Sequence, residues 1–311
     1  MPQTAEAVKT SYQGQMHLLQ KEMMGRYFER VTRAAEQGEG KAVYMLISGN
    51  PVELIQAFDL IPVYPEIDAL QLAAKKSALP FILKAEELGY SMDNCAYVKA
   101  DVGLFLGDRK TPFATIPLPS LILCNYVGCN VYLQWFEHLA EYCDGQLYNL
   151  DIPFLRDPSG VPSPEDVTYV VRQLEEVIEI CEKLTGKTLD YARLKEIVSR
   201  SSETGEMWSR IKGLTKNLPS PFDAYFDSVT MVSRAFTFTS TASTSRCTTP
   251  KCIRSTPSAT SSRCRSPCKW AMCWKRCPAN MPGRYTWIVS PAISLSLKLS
   301  APTPAGPGSR S

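Results

Sequence analysis

Residues 42–58 read Ala-Val-Tyr-Met-Leu-Ile-Ser-Gly-Asn-Pro-Val-Glu-Leu-Ile-Gln-Ala-Phe. Ala42–Ser48 is an apolar run of strand length, and it stops at Gly49-Asn50-Pro51. Asn50 suits a helix N-cap, Pro51 the first helical position, and Glu53 the carboxylate of a capping box. A helix is therefore expected to about Phe58, with a second short strand at Ile61–Tyr64. The same strand-into-helix passage recurs downstream. Ser120–Tyr126 is a buried-strand candidate that breaks at Gly128 and leads into a helix over Val131–Cys143, with a further strand at Gln146–Leu150. Strands alternating with helices argue for an α/β fold on a parallel sheet of Rossmann or flavodoxin-like type, with helices on both faces.

Helices extend the pattern on both sides. Gln13–Glu36 carries Leu18, Leu19, Met24, Tyr27, Phe28 and Val31 at mixed spacings of three and four, which predicts a helix. Pro80–Leu88 is expected to be helical and to end at Gly89. Asp151-Ile-Pro-Phe154 leaves the last strand as a loop. Ser163 caps a helix with Pro164 at its first position and an apolar face through Val170, Leu174, Val177 and Cys181, ending at Gly186. A last helix runs from about Tyr191 to Trp208, where the small Ser201 and Gly205 admit another backbone at close range. The expected organisation is an N-terminal helical segment (1–40), an α/β domain (41–158), a helical subdomain (159–233) and a tail (234–311).

The tail differs in kind. All 31 acidic residues precede residue 234, and the last is Asp227. Residues 1–233 hold 22 basic side chains for a net charge of −9, and the tail holds 12 basic and no acidic ones. The overall charge of +3 thus adds two unlike parts and points to no partner. Six cysteines (Cys247, Cys252, Cys264, Cys268, Cys273, Cys277) lie in the tail among Ser, Thr, Pro and Arg without periodicity. The composition is that of an out-of-frame translation. A disordered basic tail and a zinc module are the alternatives. Cys264/Cys268 and Cys273/Cys277 permit zinc by spacing, but the tail has no histidine and no apolar pattern. Basic clusters could supply affinity for nucleic acid. The start of the chain lacks a basic region followed by an apolar core, and no apolar run reaches the roughly 18 residues of a membrane span. A cytosolic body is expected, with free thiols or metal ligands rather than disulfides.

Two loops stand out chemically: Leu46–Pro51 and Leu121–Asn130. Both would lie at the carboxyl edge of a parallel sheet, where open α/β folds bind ligands. Helix N-termini there favour anions and lower thiol pKa values. Cys129 occupies such a place, and Ser48 its equivalent on the first strand. Taken singly, a body cysteine is more often a small buried hydrophobe than a ligand. That reading fits Cys124 in a strand, Cys181 on an apolar helix face and Cys143 near a helix end. It leaves Cys95 and Cys129 as candidates. Ser48 reads equally as a turn residue, Glu66 as a solvated carboxylate, and His17 and His138 as helix-surface residues.

Three separated motifs carry a resemblance to a known family. They are Ile47-Ser-Gly-Asn-Pro-Val-Glu-Leu-Ile-Gln-Ala-Phe-Asp-Leu-Ile-Pro-Val-Tyr-Pro-Glu66, Cys95-Ala-Tyr-Val-Lys-Ala-Asp-Val-Gly103, and Gly128-Cys-Asn-Val-Tyr-Leu-Gln-Trp-Phe-Glu-His-Leu-Ala140 followed by Leu150-Asp-Ile-Pro-Phe154. In order and spacing they resemble the benzoyl-CoA reductase / 2-hydroxyacyl-CoA dehydratase family over roughly residues 10–232, closest to its B-type cluster-bearing subunits. The resemblance implies a [4Fe–4S] cluster held by three cysteines. Two of them correspond to Cys95 and Cys129, which are 34 positions apart, and the third comes from a second α/β domain. It implies that Ser48 and Glu66 lie at the acyl-CoA reaction site, where the carboxylate handles protons. It further implies a second cluster-bearing subunit and an ATP-hydrolysing iron–sulfur activator as partners, with an aromatic acyl-CoA, or alternatively a 2-hydroxyacyl-CoA, as substrate. No tail cysteine matches the third ligand. The chain as written is therefore expected to lack a complete cluster and to be inactive by itself.

Overall fold

The computed structural model describes residues 12–47, 49–125, 129–154 and 161–220, with the side chains of 12–17 excepted. All of these belong to one compact unit. The tail, with its composition break and six cysteines, lies outside the described residues, as do Ser48 and the turn at 126–128.

Four strands form the sheet: β1 (Ala42–Met45), β2 (Ile61–Val63), β3 (Pro119–Cys124) and β4 (Gln146–Asn149). All neighbours are parallel and the order is β2-β1-β3-β4. Every residue of β1 and β2 is buried, and β3 is buried except at Ser120. This is the pattern of a parallel sheet covered on both faces. Strand β4 forms one edge and is partly exposed.

The helices are α1 (Tyr12–Gln37), α2 (Val52–Ala57), α3 (Pro65–Ala74), α4 (Leu79–Glu87), α5 (Ala96–Phe105), α6 (Val131–Glu141), α7 (Pro164–Thr185) and α8 (Tyr191–Gly213). Helix α2 crosses from β1 to β2, α3 to α5 fill the passage from β2 to β3, and α6 crosses from β3 to β4. The chain leaves β1 toward one side for β2 and returns past it to β3 on the other. The carboxyl ends of β1 and β3 therefore border the topological switch point, where open α/β sheets form their ligand crevice.

Helix α1 docks through Tyr27, Phe28 and Val31, and Tyr27 Oη donates to the Pro62 carbonyl at 3.1 Å. Helix α7 begins as its sequence predicts. Ser163 Oγ accepts from the Asp166 amide at 3.1 Å, the Asp166 carboxylate accepts from the Ser163 amide, and Gly186 closes the end at φ +70°. Helix α8 starts on Asp190, whose side chain accepts from the Ala192 and Arg193 amides.

The capping box expected around Asn50 does not form: α2 begins one residue later, and no side chain caps it. Other partners hold both side chains. Asn50 Nδ2 donates to the Leu46 carbonyl and its Oδ1 accepts from Asn125. Glu53 is taken by the Ser201 hydroxyl on α8. The close backbone approach expected at Ser201 and Gly205 is not seen at Gly205, where an added Cβ would meet nothing within 4 Å. Helices α3 and α5 had no counterpart in the sequence expectations, and they carry much of the site.

Candidate active site at the switch point

The loop after β1 turns at Gly49, which has φ +78°. A Cβ there would meet the Asn125 amide group at 3.1–3.4 Å, so a side chain would be both strained and crowded. The gap admits Asn125, which is buried just beyond β3 and donates to Asn50 Oδ1 at 2.9 Å. The two loops picked out in the sequence are thereby joined across the switch point.

Glu66 lies in the first turn of α3, immediately after β2, with Tyr64 as N-cap and Pro65 at the first position. Its Oε2 accepts the Ile47 amide at 3.0 Å, and its Oε1 accepts the Tyr132 hydroxyl. Glu66 is thus a ligated carboxylate and not a freely solvated one. Ser48 follows Ile47 in the chain, and its own placement falls outside the described residues.

Cys95 is the N-cap residue of α5 and is exposed. Its amide donates to Asn94 Oδ1 at 2.7 Å. The loop before it is anchored by Lys99, whose Nζ donates to Glu86 Oε1 at 2.7 Å and to the Met92 carbonyl at 2.8 Å. Cys129 is exposed and lies one residue before the Asn130 N-cap of α6, and its carbonyl accepts from the Tyr132 amide. Both cysteines therefore stand at helix N-termini.

The charged groups converge on Tyr132. Burial pushes its hydroxyl well above the ordinary phenol range, the bond to Glu66 pushes further, and charge on Glu66, Cys129 and Cys95 adds to the effect. Tyr97 is raised by burial, then by Glu66 and Cys95. Glu66, Cys95 and Cys129, 63 positions apart at the extremes, thus share one electrostatic neighbourhood.

The remaining described cysteines divide as expected. Cys124 and Cys181 are buried, and burial pushes each thiol up to about 12. Cys143 is half-buried and also raised by burial. His138 lies on the surface of α6 beside Glu141 at 3.6 Å. A thiolate-bound cluster fits the first pair, which is accessible and set at two helix starts, and does not fit the second. Among the described residues no three His, Cys, Asp or Glu side chains gather closely enough to hold a metal ion. Cys95 and Cys129 could supply two ligands, and any others must come from elsewhere.

Sequence reasoning missed Tyr132 and a buried acidic pair beneath the site. Asp101 on α5 accepts from Trp135 Nε1 at 2.9 Å, and burial pushes its carboxyl up to about 7, against the lowering effect of that bond. Asp68 on α3 is fully buried, raised by burial and then by Asp101, and its Oδ2 has no hydrogen-bond partner among the described residues. Among the described residues no helix is long and apolar enough to cross a membrane.

The sequence profile of the family described as 2-hydroxyglutaryl-CoA dehydratase, D-component, matches residues 48–249. The B subunit of benzoyl-CoA reductase from Thauera aromatica is 36% identical over 220 residues, covering 70% of this chain and 50% of that protein. The (R)-2-hydroxyisocaproyl-CoA dehydratase alpha subunit of Clostridioides difficile is 32% identical, covering 66% of this chain and 49% of that protein. The (R)-phenyllactyl-CoA dehydratase alpha subunit of Clostridium sporogenes is 30% identical over 193 residues, covering 62% and 46%. The chain spans about half the length of these relatives. With a matched segment of that extent, running through the Glu66, Cys95 and Cys129 segments alike, the chain belongs to the 2-hydroxyglutaryl-CoA dehydratase D-component family.

Proposed function

We propose that this chain contributes the first α/β part of a cluster-bearing subunit that reduces an aromatic acyl-CoA of the benzoyl-CoA type. The observation that carries this is the Glu66 carboxylate held by the Ile47 amide and the Tyr132 hydroxyl at the carboxyl edge of a parallel sheet, with two accessible thiols at the starts of α5 and α6. Cys95 and Cys129 would hold a [4Fe–4S] cluster, with the third cysteine supplied from outside the described residues. Such a cluster, when bound, supplies single low-potential electrons to a thioester-activated ring. Ser48 and Glu66 would face the acyl-CoA, with Glu66 exchanging the protons that accompany ring reduction to a cyclic diene. The partners are a second cluster-bearing subunit of the same family and an ATP-hydrolysing iron–sulfur activator. The domain boundaries 1–40, 41–158, 159–233 and 234–311 belong to the same proposal.

The likeness to a benzoyl-CoA reductase subunit supports the aromatic substrate. The family description and the second relative favour an alternative, dehydration of a 2-hydroxyacyl-CoA by the same residues. The test is to purify the chain with its partner and measure iron and acid-labile sulfide. Activator-dependent turnover of benzoyl-CoA is then compared with that of a 2-hydroxyacyl-CoA. Cys95→Ser and Cys129→Ser are expected to lose iron while Cys181→Ser retains it. Iron content indifferent to both of the first two substitutions would sink the ligand assignment, and turnover of the hydroxyacyl substrate alone would select the dehydratase.

A further inference from the structure

Tyr132 stands in the first turn of α6, and its hydroxyl reaches Glu66 in the first turn of α3, 66 positions earlier in the chain. The other carboxylate oxygen takes the Ile47 amide from the segment just beyond β1. Both oxygens of Glu66 are therefore engaged, each by a donor that follows a different strand.

The tyrosine ring is itself held. Trp135, one turn further along α6, is 2% exposed and lies with its ring centroid 6.3 Å from that of Tyr132 at 33°. Its Nε1 donates to Asp101 on α5, the helix that Cys95 caps. The series Glu66, Tyr132, Trp135, Asp101 thus links the three helices whose starts carry Glu66, Cys129 and Cys95. A ring needed only to fill space would not require a hydroxyl that ends on a part-buried carboxylate.

We propose that Tyr132 is a positioning residue of this centre. Together with the Ile47 amide, its hydroxyl fixes the Glu66 carboxylate in one orientation, so that Glu66 exchanges protons with a bound acyl-CoA from a set place. The role given to Glu66 rests on the proposed function; the hydrogen-bonded tie does not.

The experiment has two parts. The full chain is labelled with [ζ-13C]tyrosine, and Tyr132→Phe identifies the Tyr132 resonance by its loss among the 14 tyrosines. Glu66→Gln is expected to move that resonance, and a resonance indifferent to Glu66→Gln and Glu66→Ala overturns the proposal. In the assembled complex, Tyr132→Phe is expected to lower kcat by about tenfold to a hundredfold with KM changed by less than about twofold. In the Glu66→Gln background the same substitution is expected to do nothing further. An unchanged kcat, or an equal proportional loss in both backgrounds, overturns it. A wild-type assembly that binds no iron and turns over no acyl-CoA removes the role of Glu66 and the positioning role with it. The resonance then shows that the reaction was misassigned and not the tie.

Discussion

Asp101 offers the sharpest physical test of the core beneath the site. Its carboxyl is 3% exposed and accepts a hydrogen bond from the Trp135 indole N–H. Burial holds its pKa at about 7, against about 4 for a carboxyl in an unfolded chain. Below about pH 4 both states are protonated and the group contributes nothing to pH dependence. Between about 4 and 7 the unfolded chain gives up the proton while the folded chain keeps it, so stability falls by about 1.4 kcal/mol per pH unit. Above about 7 the folded state carries the full cost, about 4 kcal/mol in all. Asp101→Asn keeps an oxygen for Trp135 and removes the titration. The variant's stability relative to the unmodified chain is therefore expected to rise by about 3 kcal/mol between pH 5 and pH 8. Whatever constant offset the amide introduces is unaffected by pH. Asp68 couples to this group, being pushed up partly by Asp101, so Asp68→Asn and the double variant complete the set. The assay is urea unfolding followed by far-UV circular dichroism at each pH. A difference between Asp101→Asn and the unmodified chain that stays flat to within about 1 kcal/mol across that range would falsify the buried-proton account.

Two further outcomes follow from packing and exposure. Gly103→Ala is expected to destabilise the chain by about 3 kcal/mol, because a Cβ on α5 would stand 1.9 Å from the Phe81 carbonyl oxygen of α4; an unchanged urea midpoint would show that the two helices separate freely. Alkylation of the native chain near pH 8, mapped by mass spectrometry, is expected to mark Cys95 and Cys129 well before Cys124 and Cys181. The latter two are buried with thiols pushed up to about 12, and equal rates at Cys124 and Cys129 would contradict the burial of β3.

The sheet could be read in advance because its strands obey a simple rule. Ala42–Met45 and Pro119–Cys124 are apolar runs closed by Gly and Asn, and such runs in a parallel sheet are buried on both faces. Helix α7 was equally plain, with a Ser-Pro start, a one-sided apolar face and a glycine stop. Asn50 misled because a good capping residue was also a good partner for a second loop. Its amide bridges Leu46 and Asn125 across the switch point, a contact 75 positions distant that local preference cannot anticipate.

Helices α3 and α5 were missed for a different reason, one that bears on the site. A 3.6-residue stripe is visible only when the helix also has a solvent face. Val98 through Phe105 on α5 are buried without a break, and α3 buries Pro65, Ile67, Asp68, Ala69 and Leu72. The α5 sequence therefore shows no alternation of faces, and in α3 the apolar stripe is broken by the buried Asp68. Yet Glu66 and Cys95 sit at the starts of these two helices, because an N-terminus that opens at the sheet edge leads a helix body into the core. The charged residues that obscured them, Asp68, Lys99 and Asp101, are all nearly inaccessible, and two of them make specific bonds. Lys99 pairs with Glu86 and fixes the loop before Cys95, Asp101 holds Trp135, and Asp68 is raised by burial and by Asp101. Charges inside a segment without a polar face were thus the available signal. They mark helices that carry buried charge, and in this chain those helices have Glu66 and Cys95 at their starts.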